Sequence, residues 1–241
     1  MPKLTWLFDL DNTLHNASHA IFPAINVNMN AFIAAVLEKS GALSDAAAVN
    51  AARVAYLQRY GATLLGMVKH HQVRQEDFLH AAHLFDDLIP MIRAERGLAR
   101  LLKRLPGRKI LLTNAPRRYS HDVVRHLGLH RHFAKHVPIE SMRVHGQLRP
   151  KPSRLMLRKL LAKERISAHR CILVEDTVGH LKAAKSLGLR TAWITQYLRS
   201  NPDLQQHGGL LVQPKLSKRP VYVDVKVKSV RQLTDYLHRL R

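Results

Sequence analysis

A chain of 241 residues with 46% apolar and 23% charged side chains can bury a full core, either as one domain or as a core carrying an insertion. Its 39 Lys and Arg against 17 Asp and Glu give a formal net charge of +22, a field that attracts phosphates of every kind, from small esters to nucleic acid and anionic membrane. The single cysteine, Cys171, excludes an internal disulfide framework and fits a reducing compartment.

The first element is the apolar run "LTWLFDL" (4–10), which reads as a buried strand. No secretory apolar region precedes it, and no apolar run is expected to reach the roughly 18–20 residues that span a bilayer. The cytoplasm is the expected location, with no membrane partner.

Residues 17–90 hold no convincing strand. Three helical patterns fill them: "AINVNMNAFIAAVLEK", "SDAAAVNAARVAYLQRYG" and "EDFLHAAHLF". A second buried strand follows in "KILLTNA" (109–115), then the helical "SHDVVRHLGL" with Ser120 as N-cap and Gly128 as C-cap. Ser153 is placed to cap another helix, whose apolar face carries Leu155, Leu157, Leu160 and Leu161. "CILVED" (171–176) and "TAWIT" (191–195) complete the buried runs, separated by "VGHLKAAKSLGL" ending at Gly188. Residues 200–220, with three prolines and two glycines, read as loop; a short strand (221–227) and a basic helix (229–240) close the chain. Strand alternating with helix predicts an α/β fold, a Rossmann-like parallel sheet with right-handed crossovers. The core comprises 1–16 and 91–241, and 17–90 forms an inserted helical cap.

The basic residues recur at helix-like spacings between apolar ones, as in Arg93, Arg96, Arg100, Lys103 and Arg104, which is the pattern of solvated helix faces. Dedicated nucleic-acid binding is the weaker reading, because no RNA-binding aromatic pattern or DNA-reading module accompanies the charge.

Ligands of open α/β sheets bind at the carboxyl ends of the strands. There the first three buried runs carry polar groups: Asp9 and Asp11, Thr113 and Asn114, Glu175 and Asp176. Lys151 lies in the loop "RPKPS" before a helix. Taken singly, each is ordinary turn or cap chemistry. Taken in order, they converge on one edge of a parallel sheet. Two carboxylates two residues apart on an extended segment lie on one side of it, so one can act as nucleophile and the other as acid and base. No His or Cys spacing typical of a zinc site is present.

"DLDNT" matches the opening motif of the haloacid dehalogenase-like hydrolases, and "LLTNA", the Lys151 "KP" and "VEDT" follow in that family's order. The chain resembles this family over residues 9–176. The resemblance implies an Mg²⁺-dependent phosphomonoester hydrolase working through an aspartyl-phosphate. Asp9 is then the nucleophile and Asp11 the acid/base. Thr113, Asn114 and Lys151 bind phosphate. The metal ligands are Asp9, the backbone carbonyl of Asp11, Asp176, and Glu175 through a water. Dehalogenases of the family lack the second Asp as acid/base, so its presence favours phosphoryl chemistry.

"RYGATLLGMVKHH" (59–71) is similar to a cap segment of the pyrimidine 5′-nucleotidase group, whose substrates are UMP and CMP. That likeness makes a pyrimidine nucleotide the expected substrate, with His15, Tyr60 and Thr63 as candidate contacts. Phosphoglycolate or a sugar phosphate is the alternative. Tyr60, Gly61, Thr63 and Gly66 are equally consistent with a helix–helix turn, and His70 and His71 read as surface residues.

Overall fold

The computed structural model describes residues 4–198 and 218–240. They form two compact units. One holds the segment through Ala17 and everything described from Ile92 onward; the other runs from Ser18 to Met91.

The first unit is built on a six-stranded sheet. Its strands are β1 (Thr5–Phe8), β2 (Arg108–Leu112), β3 (Lys135–Val137), β6 (Cys171–Glu175), β7 (Arg190–Ile194) and β8 (Val225–Val227). Between β3 and β6 in sequence lies a separate antiparallel hairpin of β4 (Arg143–Val144) and β5 (Gln147–Leu148). The sheet order is β3-β2-β1-β6-β7-β8, with every neighbouring pair parallel. Leu7 therefore faces Ile110 on one side and Leu173 on the other. All three are 0% exposed, which is why these strands read as continuous apolar runs rather than alternating ones. Sequence order reverses between β1 and β6, the switch point at which such sheets bind ligands.

Helices α7 (Arg154–Lys163) and α8 (Val178–Lys185), which follow α5 (Leu98–Arg104) and α6 (Arg117–His126) in the chain, cover one face of the sheet. Met156, Leu157, Leu160 and Leu161 of α7 and Leu181 and Ala184 of α8 share a buried cluster with Leu7, Leu173 and Trp193. Ser153 caps α7 as expected, its side chain accepting from the Met156 N–H at 3.3 Å. Ser120 does not cap its helix. Its N-cap is Pro116, four residues earlier, so the helix runs Arg117–His126, and the Ser120 hydroxyl bonds back to the Pro116 carbonyl at 2.7 Å. Proline fits there because it presets φ and the first-turn N–H groups lack intrahelical partners.

The closing strand is shorter than expected, and most of the expected basic helix is a 3₁₀ segment, Val230–Tyr236, with α-helix only at Leu237–Leu240. A capping box of Ser229 and Gln232 opens it. The loop expected over 200–220 lies outside the described residues up to 217.

The second unit contains α1 (Ile21–Lys39), α2 (Ala46–Tyr60), α3 (Thr63–His71) and α4 (Gln75–Ala82). By length and composition alone α1 is long and apolar enough to cross a membrane, so the expectation that no segment passes that test fails here. The window tolerates Asn26, Asn28 and Asn30, which break the apolar run. These asparagines have packing roles. Buried Arg53 of α2 donates to Asn30 at 2.7 Å and Asn26 at 3.1 Å, and Asn28 donates to the Leu84 carbonyl at 2.7 Å.

The α2–α3 pair is fastened by tyrosine–histidine contacts. Tyr56 pairs with His71 and Tyr60 with His70, both at 2.6 Å, and the Tyr56 and His70 rings stack. His70 and His71 thus have defined partners on α2. Gly61 ends α2 at φ 78°, a left-handed position suited to glycine. A Cβ on Gly66 would sit 2.1 Å from the Tyr56 ring. Both glycines of the "YGATLLG" segment therefore have conformational or steric reasons to be glycine. Gly66→Ala is expected to lower stability by about 1–3 kcal/mol through forced repacking of Tyr56, read by urea denaturation; an unchanged midpoint would refute this contact.

Candidate active site

Burial dominates the chemistry at the carboxyl edge of β1 and β6. Asp9 leaves the end of β1, its N–H bonded to the Val174 carbonyl at 3.0 Å. Glu175 is the last residue of β6 and Asp176 the next. The three carboxylates are 6%, 1% and 7% exposed, and one oxygen of each lies within 4.8 Å of the others. Unpaired buried carboxylates are costly. Lys151, 3% exposed, answers two of them, with Nζ 2.6 Å from Asp9 Oδ1 and 2.7 Å from Glu175 Oε2.

Asn114 holds that lysine in place. Its Nδ2 donates to the Lys151 carbonyl at 3.0 Å, and its Oδ1 accepts from the Lys151 N–H at 2.9 Å. The Asn114 side chain is thus spent on both polar groups of the Lys151 backbone, whereas the contact expected with phosphate is through the backbone N–H at Asn114. Thr113, at the end of β2, is 1% exposed, and its Oγ1 accepts from the Ala115 N–H at 3.0 Å. Glu175 Oε1 accepts from the N–H groups of Asp176 and Thr177, each at 3.2 Å. His180 Nδ1 stands 3.0 Å from Glu175 Oε2.

These contacts divide the acids. Burial, and then the charge of Glu175, push the Asp9 carboxyl up to about 8, against the opposing pull of Lys151. Burial and Glu175 likewise hold Asp176 well above its ordinary value. For Glu175 burial also works upward, but Lys151 and then His180 outweigh it and keep the carboxyl well below the usual range. Burial pulls the Lys151 ammonium down, yet the charges of Asp9 and Glu175 raise it on balance. Three acids with one lysine make a set that a hard divalent cation fits: buried oxygen donors, close together, with negative charge in excess.

Asp11 points into a separate network. Its Oδ1 accepts from the Tyr119 hydroxyl at 2.6 Å and lies 2.8 Å from His15 Nε2. His15, expected as a substrate contact, is fully enclosed at 0% exposure, and its partner is the acid. Asn12 between the two aspartates adopts φ 57°, a left-handed conformation that asparagine tolerates. Thr13 donates from Oγ1 to Asp9 Oδ2 at 3.2 Å. Tyr60 and Thr63 belong to the helical unit, at the end of α2 and the start of α3.

The structure thus brings Asp9, Lys151, Glu175 and Asp176 into one cluster, with Thr113 and Asn114 at the end of the adjacent strand β2. Tyr119 carried no motif signal. Its one cue in the sequence is its place in the helix that follows the "LLTNA" strand end.

A family model for haloacid dehalogenase-like hydrolases matches residues 5–188. The chain belongs to this family. That match covers β1 to the end of the α8 segment and includes every polar group of the cluster. Solved structures of the family agree in fold. A predicted phosphatase of Clostridium acetobutylicum is similar at 17% identity, with 100% of both chains covered and a TM-score of 0.59. A haloacid dehalogenase-like phosphatase of Thermococcus onnurineus is similar at 15% identity, with 99% of each chain covered and a TM-score of 0.58. The L-2-haloacid dehalogenase of Xanthobacter autotrophicus, with chloropropionic acid covalently bound, is similar at 14% identity, with 97% of this chain and 98% of that chain covered and a TM-score of 0.54. At these identities the likeness establishes the fold, and phosphatases and a dehalogenase share it.

Proposed function

We propose that the protein is an Mg²⁺-dependent phosphomonoester hydrolase that forms a phosphoryl-enzyme on Asp9. One observation carries the choice over carbon–halogen hydrolysis: a second carboxylate, Asp11, stands two residues from the nucleophile with its orientation held by His15 and Tyr119. A phosphate ester needs an acid for its leaving oxygen. Halide leaves without one.

Asp9 attacks phosphorus, and the bond to the ester oxygen breaks as Asp11 gives that oxygen its proton. Asp11 then takes a proton from the water that cleaves the aspartyl-phosphate, returning both acids to their starting state. Lys151 neutralises part of the phosphate charge, and Thr113 donates its hydroxyl to a phosphate oxygen. Asp9, Asp176 and the Asp11 carbonyl would hold Mg²⁺, with Glu175 acting through a water. When bound, the ion supplies the positive charge that lets a dianionic phosphate approach three acids. Asp11→Asn is expected to slow both half-reactions by about 10²–10⁴-fold while inhibition by inorganic phosphate persists; an unchanged rate would remove Asp11 from the chemistry.

Within this class we assign substrate choice to the helical unit, residues 18–91, and a pyrimidine 5′-mononucleotide as substrate, with Tyr60 and Thr63 as its contacts. Support comes from the 59–71 segment, although the steric role of its glycines weakens that likeness as a substrate signal. A cytoplasmic setting accords with the buried, unpaired thiol of Cys171. Phosphate release from UMP, CMP, AMP, phosphoglycolate and glucose 6-phosphate, with Mg²⁺ or with EDTA, tests each layer. Mg²⁺-dependent release led by UMP and CMP supports the whole reading. Phosphoglycolate or a sugar phosphate leading would retain the mechanism and reject the nucleotide; silence across the panel would reject both.

A further inference from the structure

We propose that Tyr119 and His15 are positioning residues that hold the Asp11 carboxylate by Oδ1 and thereby place its transferable proton on Oδ2. The proposal rests on the reading of Asp11 as the acid/base.

The two residues reach Asp11 from different parts of the chain. His15 follows it by four positions and shares an isolated backbone bridge with it. Tyr119 lies 108 residues away in the first turn of the helix Arg117–His126. Both are buried, at 0% and 3% exposure, and both address the same oxygen, with the Tyr119 hydroxyl also 3.4 Å from His15 Nε2.

A carboxylate can only accept, so His15 presents Nε2 as an N–H and Tyr119 its O–H. An oxygen that accepts two hydrogen bonds is the carbonyl-like oxygen of the protonated acid. The proton then sits on Oδ2. In the first half-reaction it passes from Oδ2 to the departing ester oxygen as the P–O bond breaks; in the second, Oδ2 takes it back from the attacking water.

Packing alone does not account for this pair. His15 Nδ1 is buried without a hydrogen-bond partner among the described residues, so the imidazole carries a desolvation cost that an apolar side chain would avoid. The same cost makes sense where Nε2 must aim a carboxylate. Among the described residues neither side chain hydrogen-bonds to Asp9, Lys151 or Glu175, so the expected effect falls chiefly on proton delivery.

The test is the dependence of kcat/KM on the leaving group, measured with Mg²⁺ on 4-nitrophenyl phosphate and phenyl phosphate. 4-Nitrophenolate departs readily without a proton, whereas phenolate depends on one. Tyr119→Phe and His15→Leu should lower kcat/KM for phenyl phosphate by about tenfold more than for 4-nitrophenyl phosphate. Inhibition by inorganic phosphate should stay within about twofold of wild type. His15→Gln, which retains an N–H near the place of Nε2, should recover most of the loss. Asp11→Asn provides the benchmark, since it should show the same selectivity in stronger form. If it does and the Tyr119 and His15 variants lower both substrates equally, or neither, the two residues are only structural and the proposal is overturned. If Asp11→Asn itself lacks leaving-group selectivity, the acid/base reading beneath it has failed instead. Should one variant fail to fold, the other, with His15→Gln, gives the same comparison.

Discussion

Asp9→Asn should reduce turnover by on the order of 10⁴-fold or more, the scale seen when a covalent nucleophile is removed. An amide in its place is a far weaker nucleophile toward phosphorus. The same substitution should leave the metal-free protein at least as stable as wild type at neutral pH, because it removes one of three crowded buried carboxylates. The pH dependence follows from the raised Asp9 pKa. Between about 4 and about 8 the folded protein keeps a proton on Asp9 that the unfolded chain has already lost, so this group's contribution to stability falls as pH rises through that window. Asp176 acts with the same sign, and because the Asp9 charge is one cause of its raised value, its contribution relaxes in the variant as well; Glu175, held low, acts with the opposite sign and only at pH values below this window. In urea denaturation with EDTA, Asp9→Asn should therefore gain on wild type from pH 5 to pH 8.5. A variant that instead loses ground over that range would show that Asp9 is not a strained acid.

Lys151→Ala has the opposite signature. It leaves Asp9 and Glu175 facing each other without the ammonium that pairs both, and removing one partner of a buried ion pair costs about 3–5 kcal/mol. The loop itself should hold, because Asn114 grips the backbone of residue 151 and not its side chain. The loss should appear in urea denaturation with EDTA and shrink when Mg²⁺ is added, since a cation replaces part of the missing charge. A loss under about 1 kcal/mol would mean that Lys151 is not the charge partner of these acids. Activity should fall with it, through poorer handling of the phosphate charge.

The polar groups of the cluster were readable because parallel-sheet geometry makes them so. Once β1, β2 and β6 are recognised as buried apolar runs, their carboxyl ends must share an edge. Asp9, Thr113 and Glu175 then lie there whatever the helices do. Side-chain partners follow a different logic. Asn114 looks like a phosphate contact from its place after β2, yet its amide matches both backbone groups of Lys151, a pairing that no local pattern announces. His15 follows Asp11 by four residues, but Tyr119 reaches the same oxygen only after β2 and the next turn are in place. Ser120 looks like an N-cap because hydroxyl residues are the usual N-caps, whereas Pro116 caps the helix with its fixed φ. Strand β3 and the β4–β5 hairpin span only two or three residues each, too few for a periodicity to register. The 3₁₀ segment Val230–Tyr236 shares its apolar spacing with an α-helix closely enough that composition does not separate them.

The central claim, that Asp9 takes the phosphoryl group, is tested most directly by trapping it. The protein with Mg²⁺ is mixed with a ³²P-labelled phosphomonoester substrate, quenched in acid within one turnover, and digested. The account predicts label on the peptide containing Asp9, stable in acid, released by hydroxylamine as an acyl-phosphate is, and absent from Asp9→Asn. Label that survives hydroxylamine, or that maps to any other residue, would contradict it.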